Sequence, residues 1–215
     1  MPTSRLQLVI GDKAWSSWSL RPWLAMRRLG ITFEEVSVKL RQPDTAARIE
    51  AYSPSGKVPA LIVDGTVIWD TLAILEFLAE AHPSLWPADR LARSRARAVS
   101  AEMHASFQAL RQHCPMDFLV RAPRPGLPEE VAADVRRVIA IWRDCRSGYG
   151  RGGAFLFGGF TAADAMYAPV ASRFRTYLPD LAAYGDDGTA QAYVDAIFAM
   201  PEIELWTAGA RADGG

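Results

Sequence analysis

Residues 57–71 read KVPALIVDGTVIWDT, and this stretch predicts a β-hairpin followed by a helix. The Asp64-Gly65 pair is a strong signal for a two-residue hairpin turn, because both residues tolerate positive φ. The apolar runs on either side, Ala60–Val63 and Thr66–Trp69, are each as long as a short buried strand. We therefore expect two antiparallel strands here, with a helix beginning at Thr71.

The residues before this hairpin alternate between strand and helix patterns. Leu6–Ile10 predicts a buried strand, and Leu20–Leu29 predicts a helix with one apolar face. Phe33–Leu40 alternates like a second strand, and Pro43–Tyr52 contains a short helix. With the helix predicted over Thr71–Ala81, the order is β-α-β-α-β-β-α. This order predicts a four-stranded mixed sheet with helices on both faces.

No strand pattern follows Arg90, where the chain becomes rich in helix-forming residues. The composition changes near Trp86-Pro87-Ala88, which predicts an α/β domain over residues 1–85 and an all-helical domain over 90–215. The small polar tail, Ala208–Gly215, is expected to fray. The amphipathic patterns of the second domain predict helices over 92–112, 129–146, 161–177 and 189–199.

The composition excludes several classes of protein. The 24 basic and 24 acidic residues give a formal net charge of zero, so neither nucleic acid nor an anionic membrane is expected as a partner. Met1–Leu8 lacks the apolar stretch of a signal peptide, and no window is long enough to span a membrane. Cys114 and Cys145 form no Cys-x-x-Cys pair and are expected to be buried thiols in a reducing cytosol. No metal-ligand spacing of histidine and cysteine occurs, so no metal is expected.

Hydroxyl side chains cluster where the first helix begins, in the sequence Trp15-Ser16-Ser17-Trp18-Ser19-Leu20-Arg21. Free backbone N–H groups at a helix N-terminus favour a bound anion. Serine is also common as a simple helix cap, and the residues alone favour that interpretation.

Two further motifs flank the hairpin. Val58-Pro59, after Lys57, could contain a cis peptide bond that aims the Val58 backbone at a ligand, but only about 5–6% of X–Pro bonds are cis, so the residues alone favour trans. Asp70-Thr71 could bind the ammonium and carboxylate of an amino-acid end group, or could merely cap the third helix. The spacing of Thr161 and Asp164 predicts a capping box, a structural feature that starts a buried helix.

Taken together and in this order, these motifs resemble the cytosolic glutathione S-transferases. The resemblance extends from Leu6 to about Trp206. Members have a thioredoxin-like N-terminal domain, a Val-Pro turn with cis proline, an acidic–hydroxyl pair at the third helix and a capping box in an all-helical second domain. The serine motif is similar to the zeta class, as in bacterial members, except that Trp18 stands where the zeta motif has cysteine, which puts the isomerase chemistry of that class in doubt.

The resemblance implies that glutathione is the co-substrate and that no metal takes part. Ser16 or Ser17 would hydrogen-bond the glutathione sulfur, with Ser16 favoured by its position in the pair. Further glutathione contacts would come from Trp18, Lys57, Val58, Pro59, Asp70 and Thr71.

A second substrate, a small apolar electrophile, would occupy an adjoining pocket. Candidates for its lining are Trp15, Met103, Phe107 and Met116, although these side chains could equally form ordinary core between the domains. The resemblance further implies a cytoplasmic homodimer active in detoxification. The alternatives are a glutathione-dependent isomerase of the maleylacetoacetate or maleylpyruvate type, a dehalogenase, or a glutathione-binding regulatory protein without catalytic activity. A thiol-disulfide reductase is disfavoured, since the Ser16–Ser19 loop has no cysteine.

Overall fold

The predicted hairpin forms one edge of a four-stranded sheet in the computed structural model, which describes residues 5–214. The strand order is β2-β1-β3-β4, with β1 parallel to β2 and antiparallel to β3, and β3 antiparallel to β4. The predicted mixed sheet is therefore confirmed. The strands are β1 (Leu6–Gly11), β2 (Glu34–Val38), β3 (Ala60–Val63) and β4 (Thr66–Trp69).

Helices cover both faces of the sheet, as the strand-helix alternation predicted. Alternate residues of β1 enter different cores: Leu8 and Ile10 pack in the main hydrophobic core, whereas Val9 packs with Ile49 on the opposite face. This is the period-two pattern of a strand that is buried on both sides. The helices of this half are α1 (Ser17–Arg28), α2 (Thr45–Glu50) and α3 (Thr71–Ala81).

The second half is helical throughout its regular elements, and α7 lies at its centre. Almost every residue of α7 is buried, and α1, α4 and α8 all pack against it. The predicted combination of an α/β half and an all-helical half is thus confirmed. The helices are α4 (Arg90–Ala105), α5 (Gln108–His113), α6 (Glu129–Tyr149), α7 (Ala162–Tyr177), α8 (Thr189–Phe198) and α9 (Pro201–Ala212).

The prediction of one continuous helix over 92–112 is wrong. Ser106 is extended and Phe107 has φ of 63°, so the chain breaks between α4 and α5. Positive φ costs a bulky residue about 1–3 kcal/mol, but the Phe107 side chain is buried, which offsets that cost. The carboxylate of Asp134 on α6 accepts a hydrogen bond from the backbone N–H of Leu110 at 2.9 Å. This tertiary contact satisfies a free donor of α5, and local periodicity does not reveal it.

The C-terminal residues do not fray as predicted, because α9 extends through most of that tail. Trp206 and Ala210 are fully buried, and Gly209 lies so close to Lys13 that a β-carbon there would come within 2.6 Å of the lysine side chain. The Trp206 indole N–H donates to the Lys13 carbonyl at 2.8 Å. Small residues at the end of α9 therefore permit close packing rather than indicating disorder. Gly215 lies outside the described residues.

Two expectations about side chains are confirmed. Cys114 and Cys145 are free and buried, and burial raises the pKa of Cys145 to about 12. Thr161 and Asp164 form the predicted capping box at the start of α7. In the described part of the chain, no helix is both long and apolar enough to cross a membrane.

Asp164 does more than cap α7. It is completely buried and accepts four hydrogen bonds, from the backbone N–H groups of Leu156 and Thr161, the Thr161 hydroxyl and the Tyr193 hydroxyl. Burial raises the pKa of Asp164 to about 6, although these hydrogen bonds act in the opposite direction. One carboxyl group therefore joins α7, α8 and the segment before α7.

The raised pKa of Asp164 predicts a specific pH dependence of stability. A carboxyl group whose pKa is higher in the folded state stabilises the fold below its unfolded pKa, near 4, and loses that contribution as pH rises through about 6. We expect the loss to be about 3 kcal/mol, measured by urea unfolding between pH 4 and pH 7. Asp164→Asn lacks the titrating group and should be less stable overall by about 1–3 kcal/mol, since an amide cannot accept all four bonds. Equal pH slopes in the two proteins would contradict this assignment.

Candidate functional site

A pocket of about 470 Å³ opens where the start of α3 faces the end of α4 and α5. It collects residues from four separate segments of the chain. Other depressions are larger, at about 530, 560 and 820 Å³, but none of these three contains a residue predicted to bind a substrate. The pocket is lined by Trp18, Ser55, Lys57, Val58, Pro59, Trp69, Asp70, Thr71, His104 and Arg111.

The turn before β3 forms one wall of the pocket. The Val58–Pro59 peptide bond is cis, as the family resemblance implied and against the expectation from the residues alone. Lys57, Val58 and Pro59 all lie in the lining, and the Lys57 side chain is exposed. This wall therefore offers a backbone segment and a cation to a ligand.

Asp70 and Thr71, at the start of α3, form a second part of the wall. One carboxylate oxygen of Asp70 accepts hydrogen bonds from the N–H groups of Leu72 and Ala73 at 2.8 and 3.3 Å, so Asp70 is the N-cap of α3. Its other oxygen lies 3.3 Å from Nε2 of His104. The two interpretations of this motif are therefore compatible, since a capping carboxylate can also face a ligand.

The Asp70 backbone is in an unfavourable conformation, with φ of 73° and ψ of 134°. This region of backbone space is nearly reserved for glycine, and such residues concentrate at ligand-binding sites. The strain is offset by the surrounding structure, including the two capping hydrogen bonds to α3.

The serine pair lies at the start of α1, outside the lining of the pocket. Ser16 is buried, and its hydroxyl donates to Oγ of Ser19 at 2.8 Å. Ser19 in turn accepts a hydrogen bond from the N–H of Gly11 at 3.1 Å. Ser17 is the first residue of α1 and is partly exposed. The Ser16 hydroxyl is thus engaged inside the loop, and Ser17 is the more accessible of the two.

Trp18 lies in the pocket between two cationic groups. The Arg21 guanidinium is 4.0 Å from the centre of the indole ring, and that of Arg111 is 4.9 Å away. The His104 ring meets the indole edge to face at 5.2 Å. The Trp18 carbonyl accepts a hydrogen bond from the Thr71 hydroxyl at 3.3 Å, which joins the start of α1 to the start of α3.

Two family models match this chain. The model of the glutathione S-transferase N-terminal domain matches residues 15–81, and the model of the C-terminal domain matches residues 92–209. The chain belongs to the glutathione S-transferase family. The turn before β3 and the start of α3, which carry most of the pocket lining, both lie within the first match.

Curated relatives of this family member match only in part. A probable maleylacetoacetate isomerase of Caenorhabditis elegans is 36% identical over 96 residues, which cover 44% of each chain. The glutathione S-transferase GstA of Escherichia coli O157:H7 is 30% identical over 128 residues, covering 55% of this chain and 58% of GstA. The chain thus spans about half the length of the curated relatives it matches.

Solved structures match along almost the whole chain. A glutathione transferase homologue from Burkholderia, determined with bound glutathione, has a TM-score of 0.73 at 20% identity and covers 97% of this chain and 99% of its own. A glutathione transferase Omega 3C from Trametes versicolor has a TM-score of 0.70 at 23% identity, covering 96% and 90%. At such identities, the similarity establishes the thioredoxin-like and helical fold.

The residues predicted for a second substrate do not line this pocket. Trp15 lies in a separate cavity of about 280 Å³, with the Arg41 guanidinium 4.4 Å from its ring. Met103, Phe107 and Met116 are buried in the main hydrophobic core. Their placement agrees with the alternative that these side chains form ordinary core between the domains.

Four pocket residues were not predicted: Ser55, Trp69, His104 and Arg111. His104 and Arg111 are seven residues apart, a spacing that places two side chains on one face of a continuous helix. That spacing is visible in the sequence. Because α4 and α5 are separate helices, however, the position of Arg111 relative to His104 is set by the break at Phe107. Trp69 lies at the end of a strand with nearly half of its surface exposed, and that exposure could have suggested a binding role.

In this family member, the strain at Asp70 predicts that glycine is tolerated there better than alanine. Asp70→Ala loses the cap, at about 0.5–2 kcal/mol, and keeps the unfavourable φ. Asp70→Gly also loses the side chain, but it adopts positive φ freely. We expect the alanine variant to be less stable than the glycine variant by about 1–2 kcal/mol in urea unfolding.

Asp89 provides the matched control, because it caps α4 by the same two hydrogen bonds and has φ of −64°. The difference between alanine and glycine should be smaller at Asp89 than at Asp70. Equal differences at the two positions would show that the Asp70 backbone is not strained.

Proposed function

We propose that this family member is a glutathione transferase that binds glutathione in the 470 Å³ pocket and activates its thiol as a thiolate for attack on an apolar electrophile. The observation that carries the proposal is the pocket itself. It brings together all six residues predicted to contact glutathione, namely Trp18, Lys57, Val58, Pro59, Asp70 and Thr71. These residues come from three distant parts of the sequence, so their convergence is a property of the fold.

The groups in the pocket complement the ends of the tripeptide. Asp70 supplies a carboxylate for the ammonium of the γ-glutamyl end. The positive end of α3 favours the carboxylate of that end, and the Thr71 hydroxyl can donate to it by turning from the Trp18 carbonyl. Lys57 supplies a cation, and the Val58 backbone supplies hydrogen-bonding groups for the cysteinyl and glycyl parts. The solved homologue from Burkholderia, with the same fold, was determined with bound glutathione, which supports this ligand.

Activation of the thiol needs a modest free energy. A free thiol has a pKa of about 8.5, and lowering it to about 6.5 requires about 2.7 kcal/mol. A hydrogen bond to a charged group contributes about 1.5–3 kcal/mol, and a helix N-terminus adds about 0.3–1 kcal/mol. A serine hydroxyl at the start of α1 could therefore supply most of the shift while remaining protonated.

Ser16 and Ser17 remain the proposed sulfur partners. Position in the pair favours Ser16, whereas the engagement of the Ser16 hydroxyl with Ser19 favours Ser17. For Ser16 to serve, its hydroxyl must turn from Ser19 toward the ligand.

A glutathione-dependent isomerase is the second candidate. It is favoured by the relatives named maleylacetoacetate isomerase from Caenorhabditis elegans and Rhizobium meliloti, which are 36% and 37% identical over about half of this chain. It is disfavoured by Trp18 at the cysteine position of the zeta motif.

Assays with an activated aryl halide and with maleylacetoacetate separate the two reactions. Binding of glutathione without either turnover would indicate a regulatory protein, and a dehalogenase would release halide from haloalkanoates.

The proposal extends to assembly and domain limits. We propose a cytoplasmic homodimer acting in detoxification, with the glutathione-binding domain over 1–85 and the helical domain over 90–215, where the latter contributes to the electrophile pocket. The loop between Leu85 and Arg90, which contains neither helix nor strand, supports these boundaries. No cluster of three or more possible metal ligands occurs among residues 5–214.

The affinity for glutathione tests the proposed pocket directly. Asp70→Asn keeps a side chain that can cap α3 but removes the negative charge, so calorimetry should show affinity for glutathione about 10- to 100-fold lower than in the wild type. Asp89→Asn makes the same change at a cap outside the pocket and should bind like the wild type. No measurable affinity in the wild-type protein would overturn the proposal.

The pKa of bound glutathione tests the serine role. Titrating the thiolate absorbance of the complex should give a pKa near 6.5 in the wild type and a value about 1–2 higher in either Ser16→Ala or Ser17→Ala, whichever contacts sulfur. Ser100→Ala, a buried serine that bonds the Ala96 carbonyl, is the control. A thiol pKa that changes in neither serine variant would show that another group stabilises the thiolate.

A further inference from the structure

Two arginine side chains lie against the Trp18 indole, and a third arginine, on α7, is near enough to repel the charge of one of them. Arg21 on α1 is 1% exposed and Arg173 on α7 is 5% exposed, whereas Arg111 on α5 is partly exposed and lines the pocket. Arg21 and Arg111 both lie against the Trp18 indole, at 4.0 and 4.9 Å from its centre. We call these three residues the arginine cluster.

The arginine cluster has no acidic partner in ion-pair contact within residues 5–214. Its hydrogen bonds run to backbone carbonyls instead, and Nε of Arg173 has no partner although it is buried. The carbonyl acceptors are those of Ser17 and Met166 for Arg21, His104 and Ser106 for Arg111, and Pro169 for Arg173.

Burying cations without counter-charges costs free energy, and the lowered pKa values of two of these arginines reflect that cost. The pKa of Arg21 is lowered, first by burial and then by repulsion from Arg173 and Arg111. Burial and the Arg111 charge also lower the pKa of Arg173 to about 10. Asp70 is an acidic group near enough to favour the charged form of Arg21, but it makes no ion-pair contact with the arginine cluster, and its carboxylate is the proposed partner of the γ-glutamyl ammonium. A bound anion would relieve this repulsion.

None of the contacts proposed for glutathione involves a guanidinium group of the arginine cluster. The tripeptide carboxylates have proposed partners at Lys57 and at the N-terminus of α3, and neither of these is an arginine of the cluster. Arg111 reaches the lining beside Trp18, so its free N–H groups can meet a second ligand there. Guanidinium groups bind carboxylates through paired hydrogen bonds, which makes a carboxylate the best match.

We propose that the electrophilic substrate carries a carboxylate, which Arg111 binds directly while the buried charges of Arg21 and Arg173 reinforce the positive potential. The remainder of the substrate would lie against the Trp18 indole. This inference rests on the proposed function and narrows its electrophile to one whose apolar body also carries a carboxylate. Arg111 is a binding and specificity residue in this assignment, and the other two are positioning residues.

A pair of matched electrophiles tests the proposal: a chloronitrobenzoate and its methyl ester, which differ in charge. In both reactions glutathione sulfur forms a bond to the ring carbon, chloride leaves with the bonding electrons, and the thiol proton passes to solvent. Arg111→Gln should lower kcat/KM for the carboxylate about 10- to 100-fold and for the ester less than threefold. Arg111→Lys keeps the charge without the paired geometry and should recover part of the loss.

Arg97→Gln is the control, because Arg97 pairs with Glu76 outside the pocket and its removal should leave both rates unchanged. Equal losses for the carboxylate and the ester in Arg111→Gln would overturn the proposal. So would an equal loss of affinity for glutathione and S-methylglutathione, since the cluster would then serve the tripeptide itself.

A binding measurement keeps this inference separate from the proposed function. Calorimetry of the chloronitrobenzoate with the glutathione-free protein should show weaker binding in Arg111→Gln than in the wild type, and the ester should show no such difference. If the wild type fails to bind glutathione, the proposed function fails, and this comparison still decides the arginine cluster. Equal affinities of wild type and variant for the carboxylate would refute it.

Discussion

The contact between α1 and α7 holds the two halves of the molecule in the arrangement that the pocket requires. Arg21 lies in this contact, and its Nε donates to the carbonyl of Met166, 145 residues later in the chain. The same guanidinium bonds the Ser17 carbonyl and stacks on Trp18. A single buried cation thus fixes the start of α1 relative to the helical half. Its own dehydration is offset by those carbonyls and by the aromatic face.

The pocket takes a different kind of chemistry from each half. The α/β half contributes backbone groups and short polar side chains from the turn before β3 and the start of α3, which suit a peptide ligand. The helical half contributes His104 and Arg111, which suit a smaller charged group. Trp18 contacts Thr71 in the α/β half and also His104 and Arg111 in the helical half, so it lies between these two parts of the pocket.

Much of the α/β half could be predicted from sequence, because its signals are local. The Asp64-Gly65 turn, the apolar strands and the capping pair at Asp70-Thr71 each depend on neighbouring residues. The break between α4 and α5 could not be predicted in this way. It depends on the burial of Phe107 and on a hydrogen bond from Leu110 to Asp134, which is 24 residues away. The six residues predicted to bind glutathione come together through the α/β fold that the local signals predict, whereas the position of Arg111 relative to His104 is set by the break between α4 and α5.

Helix α9 completes the loop that leads into α1. The Lys13 carbonyl receives the Trp206 indole N–H, the Lys13 N–H donates to the Asp213 carboxylate, and the Trp23 and Trp206 rings pack at 4.9 Å. During synthesis on the ribosome, these partners emerge about 190 residues after the loop that they support. The loop that leads into α1 therefore acquires these contacts only after α9 has left the exit tunnel, long after the sheet beside it can form.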